Sequence, residues 1–532
     1  MEERLETSSE SNANRQISRS ALVVMGAFIF SSLLGLVRNM VLTRTFPLAD
    51  LDSFYAANRI TEFLFNLLAG GALGSAFIPL FTGLLTRERR EDAWKLASGV
   101  FNVLLVVLSG IVILMWIFAP QVVRYGLYVL DPTAEVENIA LTVRMLRVML
   151  PTVLIFGVSG LVMGILNAHQ KFLIPALSLA IYNIGIILGT LLLPSNMGVY
   201  RLAIGALIGA VGYLLIQIPS LVRLPKAKYE SRSGWKDKAV QDVLRLMVPR
   251  LIGAGAVQLN FVANTIIALG IGNSSVSAIT LGFALMLMPQ AAIAQSAGIA
   301  SLPTLSAQAE MGEDEAFKQT ISRIMRMILL LAIPASVGLI LLRQPLVAGL
   351  YQRGEFTSQD TQMVAWALLW YAVGLVGHSL VEVLTRSFFA RGDTKTPVIV
   401  TTSAMVLNII LSFAFTSLFR SVGWMPHGGL ALANSLATGL ECVVLWVMLG
   451  KRLNGLNSQL LGDGAIKAVI GSVVMGVSVV AVVSLVGDSP RSALVAGLLV
   501  GVLVYAVMLL LLKVPEVQTI AKALKRKLGQ AG

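Results

Sequence analysis

Apolar stretches of about 20 residues or more follow one another along almost the whole chain, from Ser20 to Lys513. A helix rising about 1.5 Å per residue needs roughly that length to cross some 30 Å of hydrocarbon. An open strand or loop in lipid leaves backbone N–H and C=O groups unpaired, so helices are what this pattern permits. Fourteen spans are predicted, near 19–44, 54–85, 94–119, 136–166, 172–194, 201–222, 240–270, 276–309, 318–344, 361–390, 396–419, 428–450, 464–487 and 491–513. The predicted class is all-α integral membrane.

Of the 532 residues, 56% are hydrophobic and 13% charged. Soluble domains carry about 25% charged residues, so no water-soluble core is expected. The formal net charge of +13 sits in short connections between apolar runs, which points to topology and not to nucleic acid. Cys442 is the single cysteine, and there are three histidines, so neither a disulfide nor a metal cluster is predicted. Residues 1–18 are polar and read as a disordered cytoplasmic tail; they lack the pattern of a cleaved signal. No Walker loop is present and no connection is long enough for a catalytic domain, so the expectation is a transporter and not an enzyme.

The connections alternate in charge. Those after the even spans carry Arg87, Arg89, Arg90 and Lys95, then Arg223, Lys226, Lys228, Arg232, Lys236 and Lys238, then Arg391 and Lys395, then Lys451 and Arg452. The odd connections, such as FPLAD and GIGNSSVS, are poor in cations. Lysine and arginine are retained on the inner side, which places both termini in the cytoplasm. The acidic loop 311–319 departs from the trend, but acidic residues weigh little in orientation. Residues 514–532 have apolar positions at helical spacing with lysines between, and predict a cytoplasmic amphipathic helix.

Two landmarks recur. Gly74-Ser-Ala-Phe-Ile-Pro79 resembles Gly298-Ile-Ala-Ser-Leu-Pro303, and Ala168-HQKFLI-Pro175 resembles Ala390-RGDTKT-Pro397. The offsets, 224 and 222 residues, are nearly equal, as a duplication requires. Six spans preserve orientation, so the halves are predicted to be parallel repeats. The expected organisation is an N-lobe over 19–222, a basic cytoplasmic linker over 223–239, a C-lobe over 240–450, and two extra C-terminal helices over 464–513. Two six-helix lobes are thus related by a pseudo-two-fold repeat.

Ionisable groups inside spans are costly and mark cavities or pathways. The first half holds Arg38, Arg59, Glu62, Arg144 and Arg147, with Asp52 just before span 2. Arg59 and Glu62 are three apart on one helix face and can pair. Guanidinium forks match phosphate oxygens, so this group predicts an anion-binding floor; snorkelling to the interface is the other reading for Arg44, Arg144 and Arg59. Arg250 in span 7 and Asn264 on the same helix add polar groups. Span 10 places His378, Glu382 and Arg386 on one stripe, as an ion pair or a proton relay, and Glu441 stands alone in span 12.

The segments SSLLGLVRNMVLTRTF, LDSFYAANRI, AGGALGSAFIPLF, GILNAHQKFLIPALSLAIYN, LYQRGEFTSQDT and FFARGDTKTPV together resemble the MurJ/MviN lipid II flippases of the MOP transporter superfamily. The resemblance implies a V-shaped two-lobe fold with a central cationic cavity for a polyprenyl-diphosphate-linked sugar. It implies a groove at spans 13 and 14 for the lipid tail. It also implies use of the membrane potential with an undetermined coupling ion, no cofactor, and a monomer in the bacterial inner membrane, beside membrane lipids and cell-wall synthesis machinery. Arg38 and Asp52 match family positions. Ser32, Asn39, Phe65, Asn66, Gly70 and Ala284 stand where the family carries other, mostly charged, residues. Asn264, Asn408 and Ser412 occupy the area where some members bind sodium through carboxylates, so no metal site is expected. Candidate substrate-binding residues are therefore Arg38, Asn39, Asp52, Arg59, Glu62, Asn66, Arg147 and Arg250. A candidate coupling network is Asn264, His378, Glu382, Arg386, Asn408 and Glu441. Two alternatives stay open: another transporter of the superfamily, for a different polyprenyl-linked glycan or a drug-like solute, and a non-transporting scaffold for cell-wall enzymes.

Overall fold

The computed structural model describes residues 26–27, 30–68, 71–225, 228–230, 234–486 and 489–516. Side chains of 68, 71–75, 248–250 and 252–254 also lie outside the described set, as do the expected tail 1–18 and most of the expected helix 514–532. Every regular element among the described residues is helical.

The chain divides into two compact units, Met1–Val276 and Ser277–Gly532. The first holds α1 (30–45), α2 (Leu48–Leu68), α3 (Gly71–Thr86), α4 (Arg90–Ile117) and a short α5 (Ala119–Gln121) that runs on as a π-helical turn, Val122–Leu127. It continues with α6 (Val136–Ala168), α7 (Leu173–Leu192), α8 (Tyr200–Leu215), α9 (Ile218–Val222) and α10 (Lys238–Leu269). α10 packs on α2, α3 and α4, so the border between units falls after this helix, while the sequence expectation opened the second lobe at 240. α11 (Ser275–Gln290) begins at that border.

The second unit continues with a π-helical turn, Ala291–Gln295, then α12 (Ser296–Glu310), α13 (Asp314–Tyr351), α14 (Ser358–Ala390), α15 (Lys395–Ser421), α16 (His427–Arg452), α17 (Ser458–Val486) and α18 (Pro490–Leu511). Eleven helical stretches of the described residues are long and apolar enough to cross a membrane. The three other expected spans, 19–44, 54–85 and 240–270, each include residues or side chains outside the described set.

Helices in lipid have no hydrophobic drive toward one another, so small residues that let backbones approach decide where they pack. In unit 1, α7 and α8 meet through Gly185, Gly189, Gly205 and Gly209. A Cβ on Gly185 would lie 2.2 Å from the Gly209 Cα, and one on Gly189 2.4 Å from that of Gly205. The same contact is locked by Arg201, whose Nη1 donates to the Thr190 carbonyl at 2.9 Å and whose Nε donates to that of Gly198 at 3.1 Å. Its guanidinium lies 4.9 Å from the Phe46 ring centre. Arg201 thus closes the end of α7, where the last carbonyls lack helical partners.

In unit 2, Ser336 Oγ of α13 donates to the Ala372 carbonyl of α14, and Ser435 Oγ of α16 donates to that of Trp370, both at 2.6 Å. α17 and α18 are held to α13 by Tyr505, whose hydroxyl donates to the Leu330 carbonyl at 2.6 Å. A charge clasp completes this junction: Arg326 of α13, with a side chain 4% exposed, meets Asp463 at 3.1 Å and Glu516 at 3.0 Å.

The two copies of the Ala–Pro landmark adopt the same local structure. α6 ends at Ala168 and α14 at Ala390. Two residues on, Gln170 (φ 58°) and Gly392 (φ 75°) turn the chain through the left-handed region. Each proline then stands third in the next helix, α7 or α15, where its missing N–H has no helical acceptor to lose.

Candidate functional site

In unit 1, Arg38 of α1 is half-buried between two amides. Its Nη1 donates to Asn183 Oδ1 of α7 at 3.0 Å, and its Nε and Nη2 donate to Asn39 Oδ1 at 3.3 and 3.0 Å. Asn183 is itself fixed, donating from Nδ2 to the carbonyls of Leu179 and Ser31. Neutral amides orient the guanidinium without cancelling its charge, and no carboxylate forms a salt bridge with it among the described residues. Asp52 is buried on α2. The position Asn39 is therefore a holder of Arg38, and Asn183 is a functional candidate that sequence reading missed. No local pattern links residues 145 apart.

One turn of α2 carries the second cation. Arg59 Nη1 meets Glu62 Oε2 at 3.0 Å, and Asn58 Nδ2 donates to Glu62 Oε1 at 2.6 Å. The Arg59 guanidinium lies 5.2 Å from the Phe261 ring centre of α10, and its Nε is buried with no hydrogen-bond partner in the described structure. Asn66 continues the stripe one turn beyond Glu62 and is half-buried. Tyr55, one turn before Arg59 on α2, is buried.

Arg147 does not join them. Its Nε donates to the Trp116 carbonyl at 3.1 Å and its guanidinium stacks 4.7 Å from the Trp116 ring, at the end of α4. Trp116 is largely exposed, as expected of an aromatic at the membrane interface. Arg144 is exposed one turn earlier. The side chain of Arg250 lies outside the described residues. On α10, Asn264 Nδ2 donates to the carbonyl of Asn260 at 3.0 Å and to its Oδ1 at 3.3 Å.

In unit 2 the stripe on α14 separates into two contacts. Arg386 meets Glu382 at 2.5 Å, while His378 Nε2 lies 2.9 Å from Asn434 Oδ1 of α16. No hydrogen bond joins His378 to Glu382 among the described residues, so the ion pair prevails over the direct relay. Gly298 of α12 leaves room for the pair, since a Cβ there would stand 2.8 Å from Arg386 Nε. Glu441 accepts from Thr401 Oγ1 of α15 at 2.5 Å. Asn408 and Ser412 are buried on α15.

An apolar groove of about 610 Å³ runs between α13 and α17, walled by Ile333, Val337, Leu341, Val473, Val477 and Val480. Its lining carries one polar side chain, Ser472. Such a surface accepts hydrocarbon and offers nothing to a charged group.

A bundle of apolar helices, a guanidinium held by neutral amides and an apolar groove define a multi-span membrane transporter. A family model described as lipid II flippase MurJ matches residues 46–505. The chain belongs to that family. It is 30% identical to the lipid II flippase MurJ of Burkholderia cenocepacia over 82% of this chain and 84% of the relative. It is 32% identical to a probable lipid II flippase MurJ of Bdellovibrio bacteriovorus, with 88% of each covered. A solved structure, the lipid II flippase MurJ in an inward closed conformation, superposes with a TM-score of 0.76 at 26% identity, over 92% of this chain and 98% of that one. An inward-facing multidrug resistance MATE transporter of the MOP superfamily gives a TM-score of 0.69 at 16% identity, over 82% and 98%, which is a likeness of fold.

Proposed function

We infer that the chain is a lipid II flippase of the bacterial inner membrane, carrying the polyprenyl-linked peptidoglycan precursor from the inner to the outer leaflet by alternating access. It performs no covalent chemistry. The observation that carries the reading at this chain's own residues is Arg38, a guanidinium oriented by Asn39 and Asn183 with its charge left for a ligand. A diphosphate is the part of such a substrate that a guanidinium fork recognises best. Arg59 supplies a second cation, moderated by Glu62. The groove between α13 and α17 suits the polyprenyl tail, which must stay in an apolar setting while the head crosses.

The finer parts of the reading follow from the sequence. The alternation of basic connections supports cytoplasmic termini. A cationic site moving a polyanionic head outward favours the membrane potential as the source of work, about 2.3 kcal/mol per charge at 100 mV. A monomer working beside cell-wall synthesis enzymes completes the proposal. The two alternatives fare worse. Likeness to drug exporters is confined to fold at 16% identity, and a scaffold has no need of a half-buried arginine held by neutral amides.

The test is complementation of cells depleted of their own lipid II flippase, paired with lipid II translocation in vesicles containing the purified full-length chain. Growth and translocation are expected. A protein that inserts fully yet supports neither would overturn the reading.

A further inference from the structure

Four guanidinium groups of unit 2 meet carboxylates. Arg386 meets Glu382, Arg391 meets Asp314, Arg452 meets Asp393, and Arg326 meets Asp463 and Glu516. One deep carboxyl group is not matched. Glu441 of α16 is 4% exposed, its hydrogen bond comes from the neutral Thr401 hydroxyl, and no cation forms a salt bridge with it among the described residues. It stands eleven residues before Arg452, about 16 Å along the helix.

The helices packed on α16 bring no charge to it. α14 presents Leu380, Val383 and Leu384, part of an apolar core that includes Cys442 beside Glu441. Of the titratable groups on α14, His378 is bonded to Asn434, two turns away, and Glu382 is tied to Arg386 against Gly298. α15 carries Lys395 in its first turn and Arg420 in its last. α16 itself carries His427 at its start, where Nε2 contacts the Met363 carbonyl, and Lys451 and Arg452 at its end. An ionised carboxylate in such surroundings costs several kcal/mol that one neutral hydroxyl does not return; the acid form avoids that cost.

A second observation lies on α15. Thr401, Asn408, Ser412 and Thr416 fall on one stripe of α15, and the last three are buried. On α16, Thr438 is buried, and Asn434, two turns before Glu441, meets His378 of α14. Hydroxyl and amide groups both donate and accept, so this line offers a proton, carried with water, a path through apolar helices from the His427 end.

We propose that Glu441 is a proton-binding site of unit 2, reached along the α15–α16 seam. The carboxylate takes up one proton when buried and returns it when the cycle exposes the group to water; no other reactant is needed. A group whose proton affinity differs between two conformations biases their populations, and transport thereby becomes responsive to the proton gradient. That coupling rests on the flippase reading; the site itself does not.

Infrared difference spectra of the purified full-length protein in lipid vesicles, taken without substrate between about pH 5 and 9, test the site. The expected result is a protonated-carboxyl C=O band that Glu441→Gln removes and that Thr401→Val shifts while leaving it in place. No such band in the wild type, or an unchanged band in Glu441→Gln, overturns the site. For coupling, lipid II translocation is measured with the potential clamped at zero and a pH gradient imposed. The wild-type rate is expected to change by up to about tenfold per pH unit and that of Glu441→Gln by less than about twofold. Equal responses overturn the coupling. Absence of translocation under every condition with the band intact removes the flippase reading and leaves the proton site standing.

Discussion

The two units hold their guanidinium groups in opposite ways. In unit 1 the principal guanidinium, Arg38, is gripped by Asn39 and Asn183, which set its direction and leave its charge. In unit 2 Arg326, Arg386 and Arg452 each meet a carboxylate within 3.1 Å. A cation held by amides is ready for an anionic ligand, and one held by a carboxylate is already satisfied and serves to join helices. Arginine inside a span is therefore not one signal but two, distinguished by the partner. Arg59 stands between the extremes, paired with Glu62 yet keeping one buried N–H without an acceptor.

The contrast is most sharply broken by removing the clasp around Arg326. Asp463→Asn combined with Glu516→Gln leaves a nearly inaccessible guanidinium unpaired, and stripping a buried charge of its partners costs about 3–5 kcal/mol. Arg326→Met removes the buried charge itself and leaves two carboxylates that water reaches, so its cost is smaller although the same pairs are lost. Thermal unfolding in detergent should rank the double variant below Arg326→Met. The reverse order would mean that Arg326 is not the desolvated partner.

Next in size is Arg38→Ala. It removes charge-assisted contacts to the proposed ligand, about 2–4 kcal/mol of affinity, with little loss of fold because its partners are neutral amides. Lipid II translocation should fall by two orders of magnitude or more while the protein still inserts and unfolds normally. Translocation near the wild-type rate would place Arg38 with the structural arginines of unit 2.

Much of this was legible in the sequence. Apolar length alone predicted helices throughout, and the Ala168–Pro175 and Ala390–Pro397 landmarks emerge as matching turns because helix ends are encoded locally. The Arg59–Glu62 and Glu382–Arg386 pairs were also legible, since three- and four-residue spacing puts side chains on one helix face. Contacts between distant segments were not. Asn183 on Arg38, Trp116 under Arg147, and Asp463 with Glu516 around Arg326 depend on which helices pack together, and composition carries no trace of that. Arg201 escaped notice because it stands at the first position of the expected span 201–222, where a cation reads as a membrane-edge residue, yet it is buried against Phe46 and closes α7.

A smaller change should move Arg59 toward the behaviour of Arg38. Glu62→Gln keeps the side-chain shape and removes the countercharge, which frees the guanidinium at a gain of about 1 kcal/mol for an anionic ligand, or roughly fivefold in affinity. Direct binding of lipid II in detergent measures it. Unchanged or weaker binding would show that the pair, and not the cation alone, forms the contact.

The smallest expected effect belongs to the surface counterpart of the unit 2 pairs. Asp393, in the turn between α14 and α15, accepts from the Thr396 hydroxyl at 2.6 Å and its backbone N–H at 3.0 Å, and meets Arg452 at 2.5 Å. These hydrogen bonds, with the guanidinium beside them, lower its pKa to about 2. A depressed carboxylate stabilises the fold fully above its ordinary pKa near 4, and the contribution fades as the pH falls through about 2. The turn is open to solvent, so the contribution stays within about 1 kcal/mol. Asp393→Asn should therefore lower thermal stability slightly at pH 7 and leave the two proteins alike near pH 2. A difference that persists undiminished in acid would assign the effect to the asparagine's altered turn geometry and remove charge from the account of this pair.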